Sequence, residues 1–546
     1  MRHLARRRPT PLHRRRVDVS QTVGPAPDLC YCPRRQATAG DSSAEERMGE
    51  AVVVGAGPTG LWLAAELRLA GVDVTVVERR EERFPHSKGF TIHPRTMEIW
   101  ASRGIDHLFL DEGRKIPNSH FGLLDQRVDF STLDTPFPHI LVLGQPRVEE
   151  LLEQYARGLG ADIRRGHAFA GLTQDADSVV AQVETAGGRY ALEADYLVGC
   201  DGAASEVRKA VGIAFPGTDS TAYTWIADVT LDNPPDIPYF QRNSAAGQAL
   251  VVPMGNGLHR VGGVNATGDG DDDWTRHAGA EELRVRLAAV AGSDFGLRDP
   301  LWVSRTGSAN RLAERYRSGR VLLAGDAAHR IFPVGGLGLN VGLQDAWNLG
   351  WKLAATVRDW APAGLLDTYH DERHAAGVAL MELVRAQTSL MTDFRPDLLA
   401  LRSVLNRAIS DVPAFSASLA KELSGLAVAH PPGGNAHPLT GHRAPDLRLA
   451  DGRGLFSVLA TDRYVLLMAS KADAEAASPR TDGGRPPHVL TVVADAPDRV
   501  RPEWDRLRAA LIRPDGHVAW AAETRDGAAL AAEATEAVAA VRRPGA

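Results

Sequence analysis

Cysteine is scarce. The 546-residue chain has three, Cys30, Cys32 and Cys200. No disulfide framework can be drawn from that set, so a reducing, cytoplasmic setting is expected. Cys30 and Cys32 lack the second ligand pair that a zinc site needs, so no metal is expected. Long apolar runs are also missing. No stretch approaches the roughly 18 residues of a membrane span, so no membrane partner is expected. Positive charge is not in excess either. A net charge of −6 argues against general affinity for nucleic acid or acidic membranes.

At 546 residues the chain is too long for one ordinary core, and two or three domains are expected. Residues 1–47 stand apart, with ten arginines against five acidic residues. They show no helical or strand period and no apolar core of a signal peptide, so disorder is predicted; Met48 lies just before the first predicted strand, and a translation start there is favoured over a functional basic arm. From residue 48 the pattern is that of an α/β protein. A nucleotide-binding domain is expected over 48–214. Short alternating strands and one helix suggest an inserted, sheet-based domain over 215–315. The first domain then resumes with helices over 316–400. A helical linker over 401–435 and a small α/β unit over 436–546 follow. Residues 430–447, rich in Pro, Gly and His, are read as linker. Within the last unit the pattern predicts two strands, then a helix and a strand, HVAWAA.

Two distant segments carry the chemistry. VVVGAGPTG holds Gly55, Gly57 and Gly60 between an apolar strand and a helical pattern. Gly55 suits a tight turn, Gly57 lets a phosphate approach the backbone, and Gly60 lets helix and strand pack closely. Glu78 closes the next strand, placed to accept hydrogen bonds from an adenosine ribose that bears no 2′-phosphate. The other segment is RVLLAGDAAH, centred on Gly325 and Asp326. Asp326 follows a strand that must be nearly buried, and a buried carboxylate needs donors. The glycine-rich VGGLGLNVGLQDA offers backbone N–H groups from Gly336 to Asn340 to an anionic ring edge. The loop from Gly335 to Gly342 is expected to be loose enough for a ligand to move. One ligand with a pyrophosphate, a polyol and a ring satisfies both segments, and that ligand is FAD, bound non-covalently.

The chain resembles the flavin-dependent aromatic hydroxylases, the group A FAD monooxygenases, from about residue 50 to its end. The marks are GAGPTG with Glu78-Arg79, VGCDGAASEVRKAVGI, and GRVLLAGDAAH with PVGGLGLNVGLQDAWNLGWKL. The resemblance implies a Rossmann-like FAD-binding domain, an inserted substrate domain and a C-terminal thioredoxin-like domain, here without redox cysteines. It implies that Pro58 and Thr59 belong to the phosphate turn and that Asp326 binds the ribityl hydroxyls. It also implies that Pro333, Gly336, Gly338, Leu339 and Asn340 line the flavin. Gln145, in LGQPRVEELL, matches a flavin-side glutamine. Lys88 stands where the family has arginine, and a lysine cannot reproduce a forked contact. Leu337 stands where the family often has glutamine. Asp201 either matches the family's second Asp-Gly motif or ends a strand-to-helix turn capped near Ser205.

The resemblance further implies transient NADPH or NADH, since only one G-x-G-x-x-G is present, and hydroxylation of a polycyclic aromatic by oxygen added to the reduced flavin at C4a. Baeyer–Villiger oxygenation and a non-catalytic flavoprotein stay as alternatives. A small aromatic substrate and O2 are the expected partners, with the chain a monomer or homodimer. No catalytic acid or base is assigned, and His329 is expected to be a structural hydrogen-bonder. Trp225, Phe240, Trp302 and Phe332 could line an aromatic pocket, although such residues serve more often as core.

Overall fold

The computed structural model describes residues 45–47, 50–86, 89–237, 239–255, 257–266, 279–431, 436–477, 488–495 and 501–541. The expected disorder before residue 45, the Cys30–Cys32 pair and Lys88 lie outside the described residues. Glu45–Arg47 form an edge strand parallel to Gly188–Ala194, so the last residues of the N-terminal extension are not without structure.

The run AVVV makes β1 (Ala51–Val54), every residue of it buried. Helix α1 (Pro58–Leu69) starts with proline in its first turn, where the missing N–H has no partner to lose. β2 (Val74–Glu78) returns parallel to β1. After α2 (Gln145–Gly158), β3 (Asp162–Arg165) adds to β2. On the other side of β1 lie β4 (Tyr196–Gly199) and then β5 (Val321–Leu323), both parallel. The order from one edge is β5, β4, β1, β2, β3, with Arg317–Ser318 pairing antiparallel outside β5. β1, β4 and β5 are fully buried, as expected for parallel strands covered on both faces. Helix α3 (Leu337–Val357) lies against α1, where Trp62 and Trp347 stack at 6.3 Å. Helix α4 (Thr368–Thr392) follows.

The alternating sequence over 178–198 suggests antiparallel strands throughout; residues 179–185 and 188–194 do pair antiparallel. YLVG leaves that meander for the central sheet, because a strand that is apolar on both faces needs cover on both. The inserted region is a five-stranded antiparallel sheet. Its order is Phe240–Ser244, Gly247–Gly255, Leu258–Asn265, Tyr223–Leu231, Leu297–Gly307. The helix Ala280–Ala291 packs on it through Leu283, Leu287 and Val290.

The C-terminal sheet runs Val489–Val493, Tyr464–Met468, Ala509–Ile512, Val518–Ala522, the first pair parallel and the rest antiparallel. Lys471–Ala477 and Gly527–Ala540 are its helices, which gives the thioredoxin-like arrangement. The helix expected before HVAWAA is only Pro502–Asp505. AALI forms an interior strand instead, all four residues buried, because the sheet needs an apolar run between its neighbours. Among the described residues no helix is long and apolar enough to cross a membrane.

This domain docks on α3 and α4 through buried charge. Arg513 donates to both Glu372 oxygens at 2.7 and 2.9 Å. Asp515 accepts from Trp351 Nε1 at 3.1 Å and Asn348 Nδ2 at 3.2 Å. A ring nitrogen of His430, one of His517 and an oxygen of Asp515 lie within 4.8 Å of one another. The Asp515 oxygens already serve Arg513, Trp351 and Asn348, so the trio acts as part of the docking network. The stretch read as linker takes part: His430 N–H donates to the Gly441 carbonyl at 2.9 Å, and Ala444 is buried.

Candidate active site

Close approaches at glycine bring the two sequence motifs to one place. A Cβ on Gly55, whose φ is +107°, would lie 2.5 Å from the Cys200 carbonyl oxygen, so the phosphate-type turn sits against the end of β4. A Cβ on Gly325, at φ +63°, would lie 2.6 Å from the Thr59 hydroxyl. Gly342, in the second turn of α3, faces the same hydroxyl. The start of α1, the turn after β5 and the start of α3 therefore surround one cavity of about 880 Å³. Gly57, Pro58 and Thr59 form one part of its wall. A Cβ on Gly57 would meet nothing within 4 Å, so the backbone there is open to a ligand.

Glu78 ends β2 beside this turn. Its Oε2 accepts from Ala56 N at 2.9 Å and its Oε1 from Arg80 N at 3.0 Å. Arg79 is exposed and does not reach the cavity wall; Arg80 does, with its guanidinium 5.1 Å from the Phe84 ring centre. Gln145 opens α2, lines the cavity and donates through Nε2 to Glu149 at 2.8 Å.

Asp326 corrects the burial argument. The strand before it is buried, but Asp326 itself is exposed on the cavity wall. A Cβ on Gly338 would lie 3.8 Å from its Oδ1, so the carboxylate faces the start of α3. The buried carboxylate of this region is Asp345, on α3. It accepts from Gly325 N at 3.0 Å, pairs with His329 Nε2 at 2.6 Å and takes Arg373 Nε at 2.7 Å. Burial, which would lower the His329 pKa, is outweighed by Asp345, and the imidazole is raised above its ordinary value. His329 is thus structural, as expected.

The glycine-rich segment is tighter than its composition suggests. Gly336 is the N-cap of α3 at φ +68°, and residues 337–342 are helical rather than loop. His93 Nε2 meets the Gly335 carbonyl at 2.9 Å. Asn340 is buried and does not line the cavity. Its Oδ1 accepts from His93 N at 2.8 Å and Thr96 Oγ1 at 2.7 Å, and its Nδ2 donates to the Thr91 and Gly336 carbonyls at 3.0 and 2.8 Å. A side chain with all these bonds made is a brace, so the expected looseness of 335–342 is not found. Pro333, Gly336, Leu337, Gly338 and Leu339 do reach the wall. Of the first-turn N–H groups of α3, that of Leu337 donates to the Val334 carbonyl at 3.4 Å, while those of Gly338 and Leu339 have no intrahelical acceptor and can serve an anion.

Asp201 behaves as the turn reading foresees. Its Oδ2 accepts from Glu206 N at 2.7 Å and Val207 N at 3.1 Å, while Ser205 caps the helix Glu206–Ala210. It stays out of the wall, whereas Cys200, Gly202 and Ala203 belong to it. Burial raises the Asp201 carboxyl and holds the Cys200 thiol far above its ordinary range, which leaves that thiol unreactive. Of the four aromatics, Trp225 and Trp302 are in the cavity lining, but Trp225 is also buried in the apolar cluster under the helix Ala280–Ala291, against which Phe240 packs, and Phe332 is buried in another cluster. Sequence reasoning missed Arg80, His120 and Arg127 on the wall, because the irregular stretch around residues 80–130 carries no periodic signal, and it missed Tyr239, just before the edge strand Phe240–Ser244.

The donor set fits FAD. The open backbone at Gly57 ahead of a helix N-terminus suits a pyrophosphate. The carboxylate of Asp326 on the wall suits a polyol, and the start of α3 suits an electron-rich ring edge.

Comparison with known proteins agrees. Residues 48–384 match the family model described as FAD binding domain, and residues 437–542 match that of the aromatic-ring hydroxylase C-terminal domain. The chain is 41% identical over 498 residues to a 12-dehydrotetracycline 5-monooxygenase/anhydrotetracycline 6-monooxygenase of Streptomyces rimosus, spanning 88% of this chain and 96% of that one. It is 40% identical to a rifampicin monooxygenase of Streptomyces venezuelae, over 87% of this chain and 96% of the relative. The solved anhydrotetracycline hydroxylase from Streptomyces rimosus superposes with a TM-score of 0.78 at 40% identity, covering 89% of this chain and 98% of that one. The chain belongs to the FAD-dependent aromatic-ring monooxygenases.

Proposed function

We propose that this enzyme hydroxylates a polycyclic phenol of the kind found in aromatic polyketides and antibiotics, taking electrons from NADPH or NADH and oxygen from O2. The observation that carries this is the single cavity of about 880 Å³. It runs from the Gly57 turn to Ile226, Leu250 and Trp302 of the inserted sheet, so cofactor and flat substrate share one enclosure. FAD, when bound, supplies the redox and oxygen-activating chemistry.

The chain's own residues bind, orient and exclude water. Gly57 and the first turn of α1 take the pyrophosphate, and Glu78 the adenosine ribose. Asp326 takes the ribityl hydroxyls. The backbone N–H groups of Gly338 and Leu339 would take the electron-rich ring edge, with Gln145 on the flavin side. Asn340 and Asp201 act behind the wall, Asn340 by fixing the start of α3 and Asp201 by fixing the turn after β4. Trp302, with Ile226 and Leu250, gives the substrate an apolar, water-poor wall. The enzyme works in the reducing cytoplasm, as a monomer or homodimer.

The test is a screen of polycyclic phenols, anhydrotetracycline and rifampicin among them. Purified yellow enzyme is assayed for stimulated NADPH oxidation, with mass spectrometry of products. A one-oxygen mass gain coupled to NADPH loss is expected. NADPH oxidation that no member of the panel stimulates would overturn the assignment.

A further inference from the structure

The hairpin formed by Asn118–His120 and Arg127–Asp129 pairs Asn118 with Asp129 and His120 with Arg127. It is tied to the edge strand of the inserted sheet. Gln241 Nε2 and Asn243 Nδ2 each donate to the Leu123 carbonyl at 2.9 Å. Arg127, Asn118, His120 and Tyr239 all line the cavity. Arg127 Nε donates to Asn118 Oδ1 at 3.0 Å, and its guanidinium carbon lies 4.7 Å from the Tyr239 ring centre. The guanidinium also hydrogen-bonds the Tyr239 side chain, but its Nη1 is buried and has no partner. Among the described residues no carboxylate comes within ion-pair distance of Arg127. Two arginines of the inserted region differ in this respect: Arg260 is held by Asp228 at 2.8 Å and Arg311 by Asp219 at 2.6 Å.

The neighbours reinforce the charge instead of cancelling it. His120 Nδ1 accepts from Leu123 N at 3.3 Å, which leaves the ring proton on Nε2 as a donor. Burial, aided by the nearby Arg127 and His93, pushes the His120 pKa down to about 3, so the ring is neutral at working pH. Asn118 spends its oxygen on Arg127, and Tyr239 donates its hydroxyl to Gln241 Oε1 at 3.2 Å. One wall of the cavity thus carries a positive charge with a buried, unused N–H, next to neutral donors.

We propose that Arg127 is an anion subsite for the substrate: it holds an ionised phenol or enol oxygen of the polycycle, with His120 as a flanking donor. This rests on the hydroxylase function proposed above and names its substrate class more closely, as acidic phenols bound as monoanions. The choice is chemically apt, since a phenolate is electron-rich at its ortho and para carbons, where an aromatic ring takes up oxygen. A charged guanidinium in a low-dielectric wall favours that oxygen over a neutral ether by far more than it would in water.

The experiment compares 2-hydroxyanthraquinone with its methyl ether, 2-methoxyanthraquinone, on the FAD-loaded enzyme at a pH where the phenol is ionised. Dissociation constants are read from the perturbation of flavin absorbance. The wild type is expected to prefer the phenolate by about tenfold or more, as charge-assisted hydrogen bonds are roughly twice as strong as neutral ones. Arg127→Met is expected to bring the two ligands within about twofold of each other by removing the charged donor. Arg127→Lys, which keeps the charge but loses the fork, should retain part of the preference. Equal loss of both ligands in both variants would make Arg127 a structural residue and overturn the inference. So would an unchanged preference in Arg127→Met, and in either case the hydroxylase assignment stands. If the wild type binds neither ligand, the polycyclic-phenol assignment and the anion subsite fall together.

Discussion

Thr59 fills the space in front of Gly325: a Cβ on that glycine would stand 2.6 Å from the Thr59 hydroxyl. The contact joins the first turn of α1 to the turn after β5. Gly325→Ala would add that clash to the cost of φ +63° for a residue with a side chain. The variant should melt several degrees lower and purify with less flavin, measured by differential scanning fluorimetry and by the ratio of 450 to 280 nm absorbance. Adding Thr59→Ala removes the obstructing hydroxyl and should restore part of both losses. No recovery would mean that backbone strain alone limits the site.

Asp326→Ala should weaken FAD retention. A polyol would lose a charged acceptor, a hydrogen bond worth about 1.5–3 kcal/mol, which corresponds to about ten- to a hundredfold weaker binding. The melting temperature of flavin-free protein should move less than flavin retention does, because Asp326 is exposed on the cavity wall. Equilibrium dialysis against free FAD reads the difference. Full occupancy in the variant at low free FAD would remove Asp326 from the cofactor site.

The two halves of the site were legible to different degrees. GAGPTG, Glu78 and GDAAH could be read because each is local: a glycine pattern beside a strand, with an acid at its end. What could not be read was which carboxylate the fold buries. Asp345 lies on α3 and meets His329 and Arg373 only after α3 and α4 have packed, so burial was assigned to Asp326. Asn340 was misjudged for the same reason, since its partners Thr91, His93 and Thr96 lie far away in sequence. Arg127 carries no motif at all. Its role arises from a hairpin docking on a distant sheet. The strand Ala509–Ile512 was read as helix because alanine and leucine suit both states and only the neighbouring strands decide.

Asp515→Ala should loosen the C-terminal domain. Arg513 would keep Glu372 but lose its second carboxylate, and the indole N–H of Trp351 would lose an acceptor. Breaking one partner from a buried pair costs about 3–5 kcal/mol. Limited proteolysis should then cut between residues 431 and 463 faster than in the wild type. Unchanged cleavage would mean that apolar contacts alone hold the domain.

The buried histidines predict a stability profile with two slopes. Burial pushes His93 and His517 down to about 4, against an ordinary value of 6.5, and Asp515 only partly opposes this at His517. An unfolded chain therefore binds protons between about pH 6.5 and 4 that the folded chain refuses. Stability falls across that window as pH drops, by at most roughly 3 kcal/mol per histidine. His329 has the opposite sign. Its burial penalty is outweighed by Asp345, the folded pKa is raised, and its contribution is complete below about pH 6.5 and fades as pH climbs through the raised value. Melting temperatures from pH 4.5 to 9 at fixed ionic strength should peak between these limits. His517→Asn should shallow the acid limb alone, because no proton can then be refused there. His329→Gln should lower the whole curve and flatten its alkaline limb. If the His329→Gln curve keeps the wild-type alkaline slope, that imidazole is neutral in the fold, and the Asp345 charge is carried by Arg373 alone.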